Sequence, residues 1–379
     1  MKICHVVGAR PNYMKVAPVI RALRRDPGTQ QVLVHTGQHY DFNMSDVFFQ
    51  QLEMAAPDVN LKVGSGTHAQ QTADIMVRFE AVASAEEPDL VLVYGDVNST
   101  VATALVCAKL GIKVGHVEAG LRSFDRNMPE EVNRVLTDQI ADLLFTPSTD
   151  GDANLRREGI APEKTFFVGN VMIDTLTRML PKASEYKFPE LPSQYALVTL
   201  HRAANVDEVN WLKGMLETLT TVSRELAVIF PVHPRTRQRM SNLSFRDNGS
   251  VRLLEPLPYI EFLALQQHAK LVITDSGGIQ EETTFLGIPC LTVRDNTERP
   301  VTVEIGTNEI VGRDLSRIAL AIERVLDGNR KASTVPPLWD GHAGERIADV
   351  ILGNGNVPIL KSDARDSECA TFSTRPTCV

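Results

Sequence analysis

The sequence predicts an α/β protein of two Rossmann-like domains facing each other across a central cleft. Three observations predict it. Short apolar runs alternate with segments of helical spacing from Lys2 to Val168, the pattern of a parallel sheet covered on both faces. Residues 181–194, rich in Pro, Lys, Glu and Ser, break that rhythm as a linker would. From Ala196 the same rhythm starts again. A chain of 379 residues suits two domains. The expected division is 1–180, a linker at 181–194, a second domain at 195–340, a helix within 341–354 and a disordered tail at 355–379.

The first half opens with a strand at Lys2 to Val7, a sharp turn at Gly8-Ala9-Arg10-Pro11 and a helix from Tyr13 to Leu23. A strand at Val32 to Val34 leads to Thr36-Gly37-Gln38-His39 and a helix at Phe42 to Leu52. A Gly/Ser loop at Val63 to Thr67 precedes a helix at Gln70 to Ala83. The centre is Asp89 to Arg134, with buried strands at Leu90 to Tyr94 and Val114 to Val117 and a helix at Ser99 to Leu110 between them. A helix at Glu130 to Leu143, a strand at Leu144 to Thr146, a helix at Gly151 to Arg157 and a strand at Thr165 to Val168 follow.

In the second half the strands are Ala196 to Leu200, Ala227 to Val232, Val251 to Leu254, Leu271 to Thr274 and Cys290 to Val293. Helices fall between them at Trp211 to Arg224, Arg235 to Met240, Tyr259 to His268 and Ile279 to Leu286, the last closed by Gly287. A final pair is Leu315 to Leu326 and Gly344 to Leu352.

Composition narrows the function. Apolar content of 43% is that of an ordinary globular core, and a net charge of −8 argues against broad nucleic-acid binding. No apolar run reaches the ~20 residues of a membrane helix. Cys4, Cys107 and Cys290 lie in apolar runs, and no CxxC pair or metal-ligand spacing is present. Met1 runs straight into a strand, so a cytoplasmic protein is expected.

Three acids carry the sharpest signal. Asp96 and Glu118 close the two central strands, and Glu130 opens the next helix after Pro129. In open parallel sheets the crevice beyond the strand ends holds the ligand. Like charges gathered there raise one another's pKa and suit proton transfer. Arg122 and Arg134 offer the structural alternative, an ion-pair network.

Asp275-Ser276-Gly277-Gly278 follows a strand and opens a helix. Ser276 is a good N-cap, and the glycines let an anion approach the positive helix end, as in a diphosphate cradle. The bland reading is a Gly-rich turn. Glu282, one turn in, is placed to reach ribose hydroxyls. Arg10 and Lys15 flank the first strand-to-helix turn as anion contacts or as surface charge. His201-Arg202 and His233-Pro234-Arg235 end two strands of the second half, as structural or as cleft residues.

These segments resemble a known family, the non-hydrolysing UDP-N-acetylglucosamine 2-epimerases. The resemblance covers nearly all of residues 1–352. It rests on GARPNYMKVAPVI, TGQHYDFNMS, VYGDVNST, GHVEAGLRS, MPEEVNR, GNVMIDTL, HPRTR, TDSGGIQEE and RDNTERP, in order and at domain-wide spacing. It implies a glycosyltransferase-B-like fold, a C-terminal helix crossing back to the first domain, a cytoplasmic homodimer and no metal or other cofactor. The implied substrate is a UDP-sugar. A base removes the C2 proton, UDP departs to leave a 2-acetamidoglucal, and re-addition with protonation on the other face gives UDP-N-acetylmannosamine. By resemblance the acid/base group is Asp96, Glu118 and Glu130, with His201 supporting the diphosphate. Arg10, Lys15, Arg134, His233, Ser276, Gly277, Gly278, Glu282 and Arg299 contact the substrate. Gln38, His39 and His233 match part of a second, activating UDP-sugar site, whose basic residues have no clear counterpart in this sequence.

Ala203-Ala204-Asn205 departs from the pattern, removing a carboxylate near the diphosphate. Part of the wording also resembles relatives acting on UDP-2,3-diacetamido-2,3-dideoxy-glucuronic acid. Other readings are a glycosyltransferase on the same fold, a non-catalytic nucleotide-sugar sensor and a hydrolysing epimerase. The full acid set speaks against the sensor. Arg10-Pro11-Asn12 and Glu298-Arg299-Pro300 favour the non-hydrolysing branch.

Overall fold

The structure, a computed structural model, describes residues 1–38, 51–241, 243, 245 and 249–353, and the side chain of Arg10 is outside that description. His39, nearly all of the helix expected at Phe42 to Leu52 and the tail from 354 onward lie outside the described residues.

Two parallel sheets form the body. The first takes β1 (Lys2–Val7), β2 (Gln30–His35), β3 (Val59–Asn60), β4 (Leu90–Tyr94), β5 (Lys113–Val117), β6 (Leu143–Thr146) and β7 (Thr165–Phe167) in the order β3-β2-β1-β4-β5-β6-β7. The second takes β8 (Tyr195–Thr199), β9 (Ala227–Pro231), β10 (Val251–Leu254), β11 (Leu271–Thr274), β12 (Cys290–Thr292) and β13 (Asn308–Ile310) in the order β10-β9-β8-β11-β12-β13. The strands read as all-apolar runs because both faces are covered; β4 is buried at every residue.

Each sheet starts in its middle, winds to one edge and returns past its first strand. The reversal falls between β1 and β4 in one sheet and between β8 and β11 in the other. The loops after those four strands therefore border the two crevices where ligands bind. They carry Gly8 to Arg10, Gly95 with Asp96, His201 with Arg202, and Asp275 with Ser276.

The helices that shape these crevices are α1 (Arg10–Leu23), α2 (His68–Glu86), α3 (Asn98–Leu110), α4 (Pro129–Ile140), α5 (Thr149–Arg157) and α6 (Val171–Glu185) in the first half. The second half adds α7 (Ala203–Val206), α8 (Val209–Val222), α9 (Pro234–Ser241), α10 (Tyr259–Gln266), α11 (Gly277–Leu286), α12 (Pro300–Glu304) and α13 (Leu315–Leu326). Last comes α14 (Ala343–Leu352), which returns to the first half. Its Ala343, Ile347 and Ala348 share a core with Val16, Val19 and Leu23 of α1. Asp174 of α6 accepts hydrogen bonds from the Ala343 and Gly344 amides at 3.0 and 2.7 Å and so caps α14.

The sequence pattern misplaces several element ends: the helix expected to run to Leu143 stops at Ile140, β6 begins at Leu143, and the expected linker starts too early. α6 continues through Pro181 to Glu185, so the first turn of the expected linker is helical. Met179 and Ala183 keep the apolar stripe buried there, and that burial outweighs the hydrogen bond Pro181 lacks. The two- and three-residue strands β3 and β13, and the short helices α7 and α12, carry too few residues to show a period. Among the described residues no helix is long and apolar enough to cross a membrane.

Candidate active site

Glu118 sits just past β5 with a φ of +77°, a left-handed backbone that a side chain rarely adopts. Such strain persists only where the surroundings enforce it, and it gathers at functional sites. Its carboxylate is buried and paired twice. Lys15 from α1 donates to Oε2. Arg299 from the second half donates to Oε1 at 3.0 Å, across the junction between the sheets. Burial alone would raise the Glu118 carboxyl; Lys15 and Arg299 outweigh it and hold it below its ordinary value. Gly95 makes room for the pair. Its φ is +65°, and a Cβ there would stand 2.7 Å from Lys15 Nζ and 3.1 Å from Glu118 Oε2.

Asp96 follows Gly95 and pairs with Arg134 of α4. Arg134 is fixed from behind by Glu131, whose Oε2 accepts from Nη2 at 2.7 Å and from Nε at 3.0 Å. Glu131 also accepts from the Ser123 and Phe124 amides at 2.9 and 2.8 Å, which sets the loop before α4. Glu130, the neighbouring acid, instead lines an open cavity of about 300 Å³. Asp96, Gln38, His68, Gln71 and Asn133 line the same cavity. Gln38 is anchored there by Ser99, whose amide and hydroxyl donate to its Oε1 at 3.1 and 2.7 Å. The proposed effector residue Gln38 thus shares a cavity with two of the three acids.

The second half supplies an anion cradle. Ser276 is the N-cap of α11, and its side chain makes no capping bond. The first amides of the helix point outward with the positive end of the dipole. Over this loop lies Arg299: a Cβ on Gly277 would meet its Nη1 at 2.5 Å and Glu298 Oε1 at 2.8 Å. Arg299 also pairs with Glu298 and, through Nε at 2.8 Å, with Glu281. Burial would lower the guanidinium; Glu281, Glu298 and Glu118 together hold it well above its ordinary value. Glu298 is held far below the carboxylate range by Arg299 and Arg294, against the cost of burial.

Asp275 organises the other side of the cradle. It is fully buried, and it accepts from the His201 and Arg202 amides and from Asn205 Nδ2 at 3.1, 2.9 and 3.0 Å. His201 Nδ1 lies 3.1 Å from its Oδ1, which orients a half-exposed ring beside His233, with ring centres 6.1 Å apart. Burial would raise Asp275; the His201 contact and these donors hold it below its ordinary value.

A sequence model of a family described as UDP-N-acetylglucosamine 2-epimerase matches residues 21–352. The chain belongs to that family. A Methanocaldococcus jannaschii UDP-N-acetylglucosamine 2-epimerase is 43% identical over 364 residues, spanning 93% of this chain and 99% of that protein. The crystal structure of the M. jannaschii UDP-GlcNAc 2-epimerase in complex with UDP-GlcNAc and UDP has a TM-score of 0.87 to this chain at 43% identity, covering 93% and 100% of the two. A Pseudomonas aeruginosa UDP-2,3-diacetamido-2,3-dideoxy-D-glucuronate 2-epimerase is 42% identical over 354 residues, 93% of this chain and 99% of that one. The expected architecture, two Rossmann-like domains of the glycosyltransferase-B type, is therefore the one this epimerase-family chain adopts.

The structure brings Lys15, Glu118, Arg299 and the Gly277 loop into one contiguous cluster, and Asp96, Glu130, Arg134 and Gln38 into a second. Glu282 is held by α10. Its Oε1 accepts from Tyr259 Oη at 2.9 Å, and burial pushes its carboxyl up to about 7. Sequence reasoning gave no role to Asp275, Glu281, Glu131 or the buried His116–Asp138 pair. The only sequence signal for the two glutamates is that each stands beside another acid on a helix, and neighbours there point about 100° apart.

Proposed function

We infer that this chain interconverts UDP-N-acetylglucosamine and UDP-N-acetylmannosamine by elimination and re-addition of UDP. One observation carries the reading. Arg299 touches a strained, buried carboxylate, Glu118, with one nitrogen and overlies the glycine loop of an anion cradle with another. The proton-transfer group and the site for the departing diphosphate are thus bridged by one cation.

In the reaction a carboxylate takes the C2 proton, the C1–O bond breaks and a C1=C2 double bond forms. The diphosphate leaves into the cradle of Ser276, Gly277 and Gly278, supported by Lys15, Arg299, His201 and Arg10. Preorganised donors of this kind stabilise charge as it develops. UDP then adds back while a proton reaches C2 from the opposite face. Two faces require two proton-carrying groups, which Asp96, Glu118 and Glu130 provide. Arg134 and His233 complete the substrate site; the assignment of Glu282 to ribose, and of Gln38 and His39 to part of an effector subsite, rests on the family resemblance alone. No metal or cofactor enters this scheme.

The test is proton NMR of the purified chain with UDP-N-acetylglucosamine in D2O. Deuterium entering C2 while UDP-N-acetylmannosamine accumulates is the expected result. Free N-acetylmannosamine, or no exchange, would overturn it. The P. aeruginosa relative favours a second substrate, so UDP-2,3-diacetamido-2,3-dideoxy-glucuronic acid belongs in the same assay.

A cytoplasmic homodimer is part of the proposal. Val77, Leu110, Val132 and Leu136 are exposed on the neighbouring helices α2, α3 and α4, which supports contact with a second copy there.

A further inference from the structure

Helix α11 presents two adjacent acids that turn to different neighbours. Glu282 meets Tyr259. Glu281 turns to the junction between the two halves. Its Oε1 accepts from Asn170 Nδ2 at 2.9 Å and lies 2.8 Å from Arg299 Nε. Asn170 is itself the N-cap of α6, accepting from the Met172 amide at 2.9 Å. Glu281 therefore joins three pieces: the cradle helix, the helix leading out of the first sheet, and the bridging arginine.

Each nitrogen of Arg299 stands beside a different acid, with hydrogen bonds at Nη1 and Nη2 and a close charge contact, without hydrogen-bond geometry, at Nε. Nε faces Glu281, Nη1 faces Glu298 and Nη2 faces Glu118. Two hydrogen bonds on the outer nitrogens leave the guanidinium plane one remaining tilt, and the Glu281 charge beside Nε opposes it. With Glu281 gone, two partners remain on the outer nitrogens and the plane is free to tilt about them. Glu281 is 1% exposed and its Oε2 has no hydrogen-bond partner among the described residues. An amide would satisfy Asn170 equally well at lower desolvation cost. The negative charge therefore serves Arg299. Burial drives that carboxyl up to about 7 against the pull of Arg299, with Glu118 adding to the rise, which marks the charge as costly to keep.

We propose that Glu281 is a positioning residue: it fixes the Arg299 guanidinium between the glycine loop and Glu118 and ties that geometry to the Asn170 joint. It touches no reacting atom itself. The proposal rests on the epimerase reading above.

The experiment measures steady-state epimerisation of UDP-N-acetylglucosamine by the full chain and by Glu281→Gln, Arg299→Lys and the double variant. A misplaced clamp costs about 10²-fold, so Glu281→Gln is expected to lose about that in kcat with KM little changed. Its urea midpoint should stay near the parental one. The double variant should be no slower than Arg299→Lys alone, because Glu281 acts through that arginine. A parental kcat in Glu281→Gln overturns the proposal. So does a loss that multiplies with that of Arg299→Lys, or one that only tracks the folded fraction. If Glu281→Gln does not fold, Glu281→Asp carries the same cycle; it keeps the charge but withdraws it by one methylene, and multiplying effects there overturn the proposal equally. A parental chain that fails to epimerise would sink the epimerase reading instead, so the two failures are distinguishable.

Discussion

An aspartate–histidine pair stands in each half of the molecule, and the two do opposite jobs. In the first half His116 Nδ1 lies 2.6 Å from Asp138 Oδ1 and its Nε2 lies 2.8 Å from the Gly95 carbonyl, with neither side chain exposed. In the second half His201 Nδ1 lies 3.1 Å from Asp275 Oδ1, with the aspartate sealed and 41% of the histidine side chain exposed. His116 belongs to strand β5, so its ring is packed beneath the loops that carry Asp96 and Glu118. His201 lies just past β8, so its ring emerges at the cleft. A buried carboxylate with a histidine is a scaffold when the second ring nitrogen is tied to backbone, and a presenting device when the ring is open. Position relative to the strand end decides which.

The largest effect should come from breaking the sealed pair. Asp138 also pairs with Arg122 at 2.7 Å and accepts from the Gly120 amide at 3.1 Å. Removing one partner of a buried ionic cluster costs about 3–5 kcal/mol, so Asp138→Ala should lose that much in a denaturant titration. The loops bearing Asp96 and Glu118 should loosen with it, and kcat should fall even where the protein is fully folded. A variant as stable as the parent would mean that the pair is not the scaffold described.

The open pair should give the reverse signature. Asp275 keeps the His201 and Arg202 amides and Asn205 when the imidazole is removed. His201→Asn should therefore cost clearly less stability than Asp138→Ala, because three donors to the buried carboxylate remain. Loss of one donor to a developing diphosphate costs about 10²-fold or more in kcat. Parallel urea titrations and steady-state kinetics on His201→Asn and Asp138→Ala separate the two roles. Equal losses of stability in both would erase the distinction.

The difference between the pairs was only half legible in the sequence. The alternation of apolar runs and helical spacing gave both sheets, because strands covered on both faces read as unbroken apolar runs such as Leu90 to Tyr94. Asp96 and the Ser276-Gly277-Gly278 turn were legible because topology forces the loops after β4 and β11 into crevices, and Glu118 because it closes the neighbouring strand β5. What each acid of a doublet meets was not. Glu130 and Glu131 are adjacent in sequence, yet one lines the open cavity and the other is buried under Arg134. Glu281 and Glu282 part in the same way, toward Arg299 and toward Tyr259. That choice is made by helix rotation, and the packed partners that set it come from residues far along the chain. His116 was illegible for a related reason, since its partner Asp138 lies 22 residues away on the next helix.

A third buried aspartate sharpens what the histidines contribute. Asp174 is sealed like Asp138 and Asp275, but its direct partners are the backbone amides of Ala343 and Gly344. Burial pushes it up to about 6 despite those two donors, whereas His116 with Arg122, and His201 with its neighbouring donors, hold Asp138 and Asp275 below their ordinary value. The signs of the pH dependence are therefore opposite. A carboxyl whose folded pKa is raised adds stability that is complete below its unfolded value, near 3.8, and is lost as pH rises through about 6. Carboxyls held low add stability that is complete above the unfolded value and is lost as pH falls. Asp174→Asn should thus flatten the stability curve between pH 4 and 6.5, by ~2 kcal/mol over that span, an amount set by the size of the shift. Asp275→Asn should leave that span unchanged and alter the curve only at lower pH. Urea midpoints of the parent and both variants across pH 3 to 7 decide it. If Asp174→Asn tracked the parent from pH 4 to 6.5, backbone amides alone would be enough to keep a sealed aspartate charged, and the contrast with the histidine-paired sites would collapse.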